Sequence, residues 1–294
     1  MKFIAYNNGH IGICVTEHAY VEITDIAGVT PGAWPPVQMV QFISRFDELR
    51  NDLENRIKTG ERKSLADIRL DSPVTWPNKV VAFPANYHAH IDEMKEGLIS
   101  KFKASGQGFF LKSNSSLSGP ADPIVLPPIS GREIHHEAEM AIIIGKGGRG
   151  ISKENALEHI FGYSCLLDIV VRGKEERVMR KSFDTFCPLG PWIVTRDEVR
   201  NPDALNLQLT VNGELRQQAN TRDLIVDIPS MIEMASAVMT LEPGDVIATG
   251  TPAGVAKIVA SDKLKITIES VGSMEINVRN GEIGDHAVWD KSAS

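Results

Sequence analysis

Cysteine is scarce: Cys14, Cys165 and Cys187 are the only three, an odd number with no CxxC pair. A disulfide framework and a thiolate zinc site are both disfavoured by that spacing. Long apolar runs are missing too. No stretch approaches the ~18 residues of a membrane span, and the opening MKFIAYNNGH lacks the apolar centre of a signal peptide. Cytoplasm is the expected address, with no membrane partner. Positive charge is in deficit. The formal net charge of −7 removes the basic field that a nucleic-acid partner would need. Internal repeats and low-complexity tracts are absent. What remains is an ordinary globular composition, 42% hydrophobic and 23% charged over 294 residues, long enough to bury a sizeable core in one large domain or two.

The opening run KFIAYNNGHIGICV places Asn7-Asn8-Gly9 between two strand-like segments, which predicts a hairpin. Val40, Ile43, Phe46, Leu49, Leu53 and Ile57 then recur at three- and four-residue steps, the pattern of one amphipathic helix with Gly60 as its stop. The polar stretch 60–78 reads as a linker, giving a small N-terminal domain over 1–72 and a larger one over 73–294. Beyond it KVVAFPANY predicts a strand, and HAHIDEMKEGLISKFKASG a polar helix or loop. Asn212-Gly213 marks a second hairpin, Pro229 to about Thr240 a helix, and DVIATGTPAGV a buried strand running into a glycine-rich turn. The fold class is α+β, mainly β.

The stretch EIHHEAEMAIIIG carries the chemistry. On a strand, residues two apart share a face, so Glu137 and Glu139 lie beside Ala141 and Ile143, while His136, Ala138, Met140, Ile142 and Ile144 take the other side. Asp168 ends a second apolar run, FGYSCLLD. If the two strand ends meet, three carboxylates converge. Two unit charges at about 4 Å cost roughly 4 kcal/mol at an effective dielectric near 20, so such a trio either raises its own pKa values or recruits a cation. All-oxygen ligation suits Mg²⁺ or Mn²⁺ before Zn²⁺. By spacing alone the plainer account is a solvent-facing strand edge and a turn cap. His90 and Glu93 share a helical face, the arrangement of a general base with its orienting carboxylate, or of a solvated surface pair. His88, His135 and His136 compete with His90. Lys112, Arg172 and Lys181 are candidate anion contacts or ordinary surface charges, and the turn TGTPAG offers backbone N–H groups and the Thr251 hydroxyl to a carboxylate.

Seven stretches in order, NYHAHIDE, GFFLKSNSSLSGPADPIVLP, EIHHEAEMAIIIGKGGRGI, GYSCLLDIVVR, KSFDTFCPLGPWIVT, LTVNGELRQ and LEPGDVIATGTPAGV, resemble the fumarylacetoacetate hydrolase family from about residue 77 to 280. The resemblance implies a mixed β-sandwich roll, usually a homodimer, preceded here by a small α+β N-terminal domain. It implies Glu137, Glu139 and Asp168 as ligands of a divalent metal, Mg²⁺ or Mn²⁺ with Ca²⁺ as a further option. It also implies His90 and Glu93 as a lid dyad, Lys181 as the catalytic lysine, and Tyr87, Lys112, Arg172 and Thr251 as substrate contacts. The implied reaction is hydrolysis of a C–C bond in an acylpyruvate or 1,3-diketone, with the segment 88–106 closing over the site. Decarboxylation or tautomerisation of an oxaloacetate-type 2-oxo acid is the alternative, and a binding protein on an inactivated scaffold is a third. Three departures stand out. Glu175 replaces a usual Gln, AKIVASDKLKI lacks a usual Gly-Asp pair, and Ser113 stands where Pro is frequent.

Overall fold

The computed structural model describes residues 1–95, 104–286 and 288–289. Two sheets and a helical layer organise them. The larger sheet has eleven strands, and its centre is the antiparallel pair Ala138–Ile144 and Ile160–Leu167, flanked by Cys187–Thr195 on one side and Val246–Ala248 on the other. The smaller sheet has five strands, built on the hairpin Asn206–Val211 and Glu214–Asn220 with the pair Lys263–Ile268 and Gly272–Asn280. The mainly-β α+β expectation holds.

Both predicted hairpins form where the turn residues demand them. Asn7, Asn8 and Gly9 take positive φ between Lys2–Tyr6 and His10–Cys14, and Asn212 and Gly213 do so in the second hairpin, the conformation these residues adopt at least cost. The helix over Ile228–Val238 starts with the Asp227 carboxylate accepting from Ser230 N–H at 2.9 Å and Pro in its first turn. Two expectations need correction. The single amphipathic helix is two, Gln38–Ser44 and Phe46–Thr59, broken at Arg45. The break keeps Met39, Phe42, Phe46, Leu49 and Leu53 on the core side, while Val40 and Ile57 are only partly buried. The stretch 60–78 is no plain linker either, because Arg62–Ser64 pairs as an edge strand with Ala19–Glu22.

Strand Ala138–Ile144 is buried at every position. Ala138, Met140, Ile142 and Ile144 join the core between the two sheets, with Leu207, Leu264 and Met231. Ala141 and Ile143 join a second core beneath the N-terminal helices, with Phe3, Phe42 and Phe161. Each fully buried aliphatic side chain contributes about 1.5–3 kcal/mol, so both faces clamp this strand. The sheet continues across residue 72: Lys2 and Phe3 pair with Val194 and Ile193. No described helix is long and apolar enough to cross a membrane.

Candidate active site

The acids sit where regular strand geometry gives way. Ala138 pairs with Leu167 and Glu139 with Leu166, and Asp168 N–H donates to Glu137 O at 2.8 Å just beyond. Adjacent strands thus deliver all three carboxylates to one point, with ligand oxygens within 4.8 Å of one another and all three residues buried. The solvent-edge account of these acids is excluded.

Lysines hold the trio. Lys181 Nζ donates to Glu137 Oε2 at 2.6 Å and to Asp168 Oδ2 at 2.5 Å. Lys112 Nζ donates to Asp168 Oδ1 and, at 2.9 Å, to Phe186 O. Glu139 receives Gly250 N–H at 2.7 Å. Burial alone would raise Glu137, but the charges of Lys181 and Arg172 outweigh it and hold the carboxyl below its usual range. Burial pushes Glu139 well up, and the neighbouring Asp168 adds to the push. Burial works against the charge on Lys181, yet Asp168 and Glu137 keep it firmly cationic. Three crowded carboxylates that cannot all ionise comfortably without more positive charge, offering oxygen donors only, fit a hard divalent cation.

A cleft of about 370 Å³ opens over these acids, and His90, Arg172, Lys181 and Thr251 line it. His90 Nδ1 meets Glu93 Oε2 at 3.2 Å. A carboxylate only accepts, so the neutral ring carries its proton on Nδ1 and keeps Nε2 as the basic nitrogen. Glu93 is itself fixed by Gly254 N–H at 3.1 Å. The glycine turn is therefore spent on the protein's own carboxylates, Glu139 and Glu93, rather than offered to a substrate. Its shape requires glycine: φ is +95° at Gly250 and +96° at Gly254, and a Cβ at Gly254 would lie 2.0 Å from Arg216 O. Asn86 pins the turn from below, donating to Thr249 O at 2.8 Å and Val226 O at 3.0 Å.

Position separates the four candidate histidines, of which His90 lines the cleft. His88 is exposed. His135 Nδ1 accepts from Arg172 Nε at 3.0 Å and so aims the arginine. His136 turns away into the core, where its Nδ1 meets Gln217 Oε1 at 3.0 Å and burial lowers its pKa to about 4. Two expected substrate contacts are not brought to the cleft. Lys112 lies behind Asp168 with its charge committed there. Tyr87 is buried off the cleft wall, and burial raises its phenol. Glu175, which stands in place of the usual Gln, is neutralised by Arg132 at 2.7 Å. Ser113 N–H donates to Ser182 Oγ at 3.0 Å, a bond that proline could not make. Of the lid segment 88–106, residues 88–95 form a helix and 104–106 begin another, while 96–103 lie outside the described residues.

Sequence reasoning missed Gln217. Its Oε1 accepts from Ala138 N–H at 3.0 Å, and its Nε2 donates to Thr251 Oγ1 at 2.8 Å and Pro252 O at 2.9 Å. Backbone partners at both ends fix the amide's orientation. Thr251 Oγ1 accepts from Gln217, so its own proton is left to donate elsewhere. The one signal in the chain was a polar residue at an alternating strand position. A larger depression of about 740 Å³ near Arg45, Gly147 and Asp197 gathers no comparable cluster of acids among the described residues, so the smaller cleft is the candidate site.

Buried acids, a cationic lysine and an oriented histidine converge on one small cleft, an arrangement suited to metal-assisted acid–base chemistry. The chain belongs to the fumarylacetoacetate (FAA) hydrolase C-terminal family, which matches residues 79–279. It is 41% identical over 288 residues to maleylpyruvate hydrolase of Aquipseudomonas alcaligenes, spanning 95% of this chain and 100% of that one. Oxaloacetate tautomerase YisK of Bacillus subtilis (strain 168) is 38% identical over 224 residues, 72% of this chain and 73% of that one. The crystal structure of maleylpyruvate hydrolase from Sphingobium sp. SYK-6 in complex with manganese(II) ion and pyruvate is 48% identical, covers 96% of this chain and 100% of that chain, and superposes with a TM-score of 0.87.

Proposed function

We propose that this protein hydrolyses the C–C bond of acylpyruvates, the class to which maleylpyruvate belongs, with Glu137, Glu139 and Asp168 holding the metal. The observation that carries the hydrolytic reading is likeness over the whole chain to hydrolases, whereas the tautomerase is matched over 72% of it. Magnesium is the ion we place first, with manganese next and calcium third. A homodimer in the cytoplasm completes the proposal. The division at residue 72 is functional within it, since every residue lining the cleft lies beyond that point.

When bound, the divalent ion supplies Lewis-acid polarisation of the substrate's 2-oxo acid end. His90, oriented by Glu93, takes a proton from water at Nε2, and the hydroxide attacks the distal carbonyl. Arg172, aimed by His135, and Lys181 stabilise the negative charge that develops. The C–C bond then breaks. The hydroxyl remains on the acyl carbon, giving a carboxylic acid, and the departing carbon takes a proton to become the methyl of pyruvate. Thr251 donates a hydrogen bond to the bound substrate. The segment around His90 shields the reaction from bulk water.

One observation keeps a second reaction in view. The same histidine can move a carbon-bound proton, as tautomerisation of an oxaloacetate-type acid requires, and a tautomerase is among the relatives. A spectrophotometric panel of acylpyruvates, 1,3-diketones and oxaloacetate, with and without EDTA and with products identified, separates the two. We expect EDTA-sensitive release of pyruvate and a carboxylic acid. Turnover of oxaloacetate alone, without a new carboxylic acid, would overturn the hydrolytic reading.

A further inference from the structure

Arg172 reaches the acids from a slight piece of structure. It follows Val170–Val171, a strand of two residues whose partner Ile134–His135 is just as short. Its side chain is 38% exposed, and its Nη1 lies 3.9 Å from Glu137 Oε1, beyond hydrogen-bond reach. A long, solvated side chain on so short a ribbon has many rotamers open to it, whereas stabilising a developing charge requires one placement.

The segment that leads into the first metal acid supplies the restraint. Glu133 O accepts from Arg172 N–H at 2.8 Å, and His135 Nδ1 accepts from Arg172 Nε at 3.0 Å. Arg132 adds the third hold. Its side chain is 1% exposed, and it does not line the cleft. Its Nη1 donates to Arg172 O at 2.8 Å and its Nη2 to Glu175 Oε1 at 2.7 Å, so one planar fork ties both ends of the turn 172–175. Gly173 makes room for the fork: a Cβ there would lie 2.0 Å from Arg132 Nη1 and 2.3 Å from Glu175 Oε2. Arg180 Nε closes the turn from its far end, donating to Glu175 O at 2.7 Å. Arg172 is thereby fixed at its N–H, its carbonyl and its Nε. Glu175 is drawn away from the cleft that Arg172, Gly173 and Lys174 line. Burying such an ion pair adds little stability over apolar residues of the same size, which leaves the placement of the turn as its use.

We propose that Arg132, with Glu175 as its counter-charge, is a positioning residue for Arg172, fixing the turn so that the guanidinium meets the negative charge that develops at the substrate's 2-oxo acid end. This rests on the acylpyruvate reading and adds to it a residue outside the cleft.

The test is calorimetric titration of the Mn²⁺-loaded protein with pyruvate and with oxalate. Oxalate carries from the outset the second negative charge that the 2-oxo acid end acquires only as the C–C bond breaks, so the ratio of the two affinities reads the placement of Arg172. Wild type is expected to favour oxalate. Arg172→Met measures the share of that preference owed to the guanidinium, about 10–100-fold for a charged hydrogen bond. Arg132→Met should lose most of the same share, with kcat lowered by up to about 10²-fold and KM moved less, and Arg132→Lys should restore part. Because Arg132→Met strands the Glu175 carboxylate, the double variant Arg132→Met/Glu175→Gln is the control for folding: Tm should recover while the preference stays lost. A preference that survives Arg132→Met, returns together with Tm in the double variant, or is untouched by Arg172→Met would overturn the positioning role. The titration needs no bond cleavage. A protein that shows the expected pattern yet hydrolyses nothing would refute the reaction and leave the clamp standing.

Discussion

Asp245 and Glu139 lie at opposite ends of one strand pair, Val246–Ala248 against Ala138–Ile144, and both are almost completely buried. Their surroundings differ. Asp245 Oδ1 accepts Lys79 N–H at 2.9 Å, while Oδ2 accepts Glu242 N–H at 2.7 Å and the Lys79 ammonium. Both oxygens are occupied and the charge is cancelled. Glu139 receives one hydrogen bond among the described residues and faces two other carboxylates. A buried acid that serves the fold is saturated with partners, whereas a buried acid that serves a ligand is left wanting.

Substitution should split the two. Glu139→Ala is expected to abolish Mn²⁺ binding in calorimetry and bring turnover to background, with Tm held or raised because a crowded carboxylate is gone. Asp245→Ala should strand Lys79 and cost about 3 kcal/mol of unfolding free energy in a denaturant titration, while the folded fraction keeps its metal. The same outcome at both positions would dissolve the contrast. His90→Ala sharpens it from the side of the chemistry, since it should slow hydrolysis about 10²–10⁴-fold with Mn²⁺ affinity unchanged. Loss of metal in that variant would move the histidine into the ligand set.

Acidity gives a gentler test. The Glu139 carboxyl titrates higher in the folded protein than in the unfolded chain. Its contribution to the metal-free protein is therefore full below the ordinary value of about 4.3 and is lost as pH rises through the elevated folded value. Metal must displace that proton to bind. The Tm gain on adding Mn²⁺ should then grow as pH rises above the ordinary carboxyl range, and Glu139→Gln should flatten the trend. The smallest effect is expected at Gln217→Leu, which leaves the buried Ala138 N–H without its acceptor, a cost of about 1–3 kcal/mol. Turnover should fall while Mn²⁺ affinity changes little.

Much of this was legible in the chain because it is local. The Asn-Gly turns, the apolar steps of the helices and the two-residue spacing of Glu137 and Glu139 are short-range patterns, and the family resemblance implied which acids and which histidine to pair. What escaped is long-range. Gln217 meets His136 across 81 residues and Arg132 meets Glu175 across 43, and no periodicity announces such partners. Lys112 was placed on the substrate side because a lysine beside a cleft strand looks the same from either side until Asp168 claims it. The helix break at Arg45 was hidden because the apolar spacing runs through it unchanged.

The sheet that crosses residue 72 restricts how the enzyme can be dissected. Removing the first 72 residues would strip the pairing partner from Cys187–Thr195 and take away Phe3, Phe42 and Phe46, the rings that pack on Phe161. The remnant would carry an open β-edge beside a greasy wall, the makings of aggregation rather than of a minimal catalyst. Transplanting this cleft into a shorter frame therefore means redesigning that wall first.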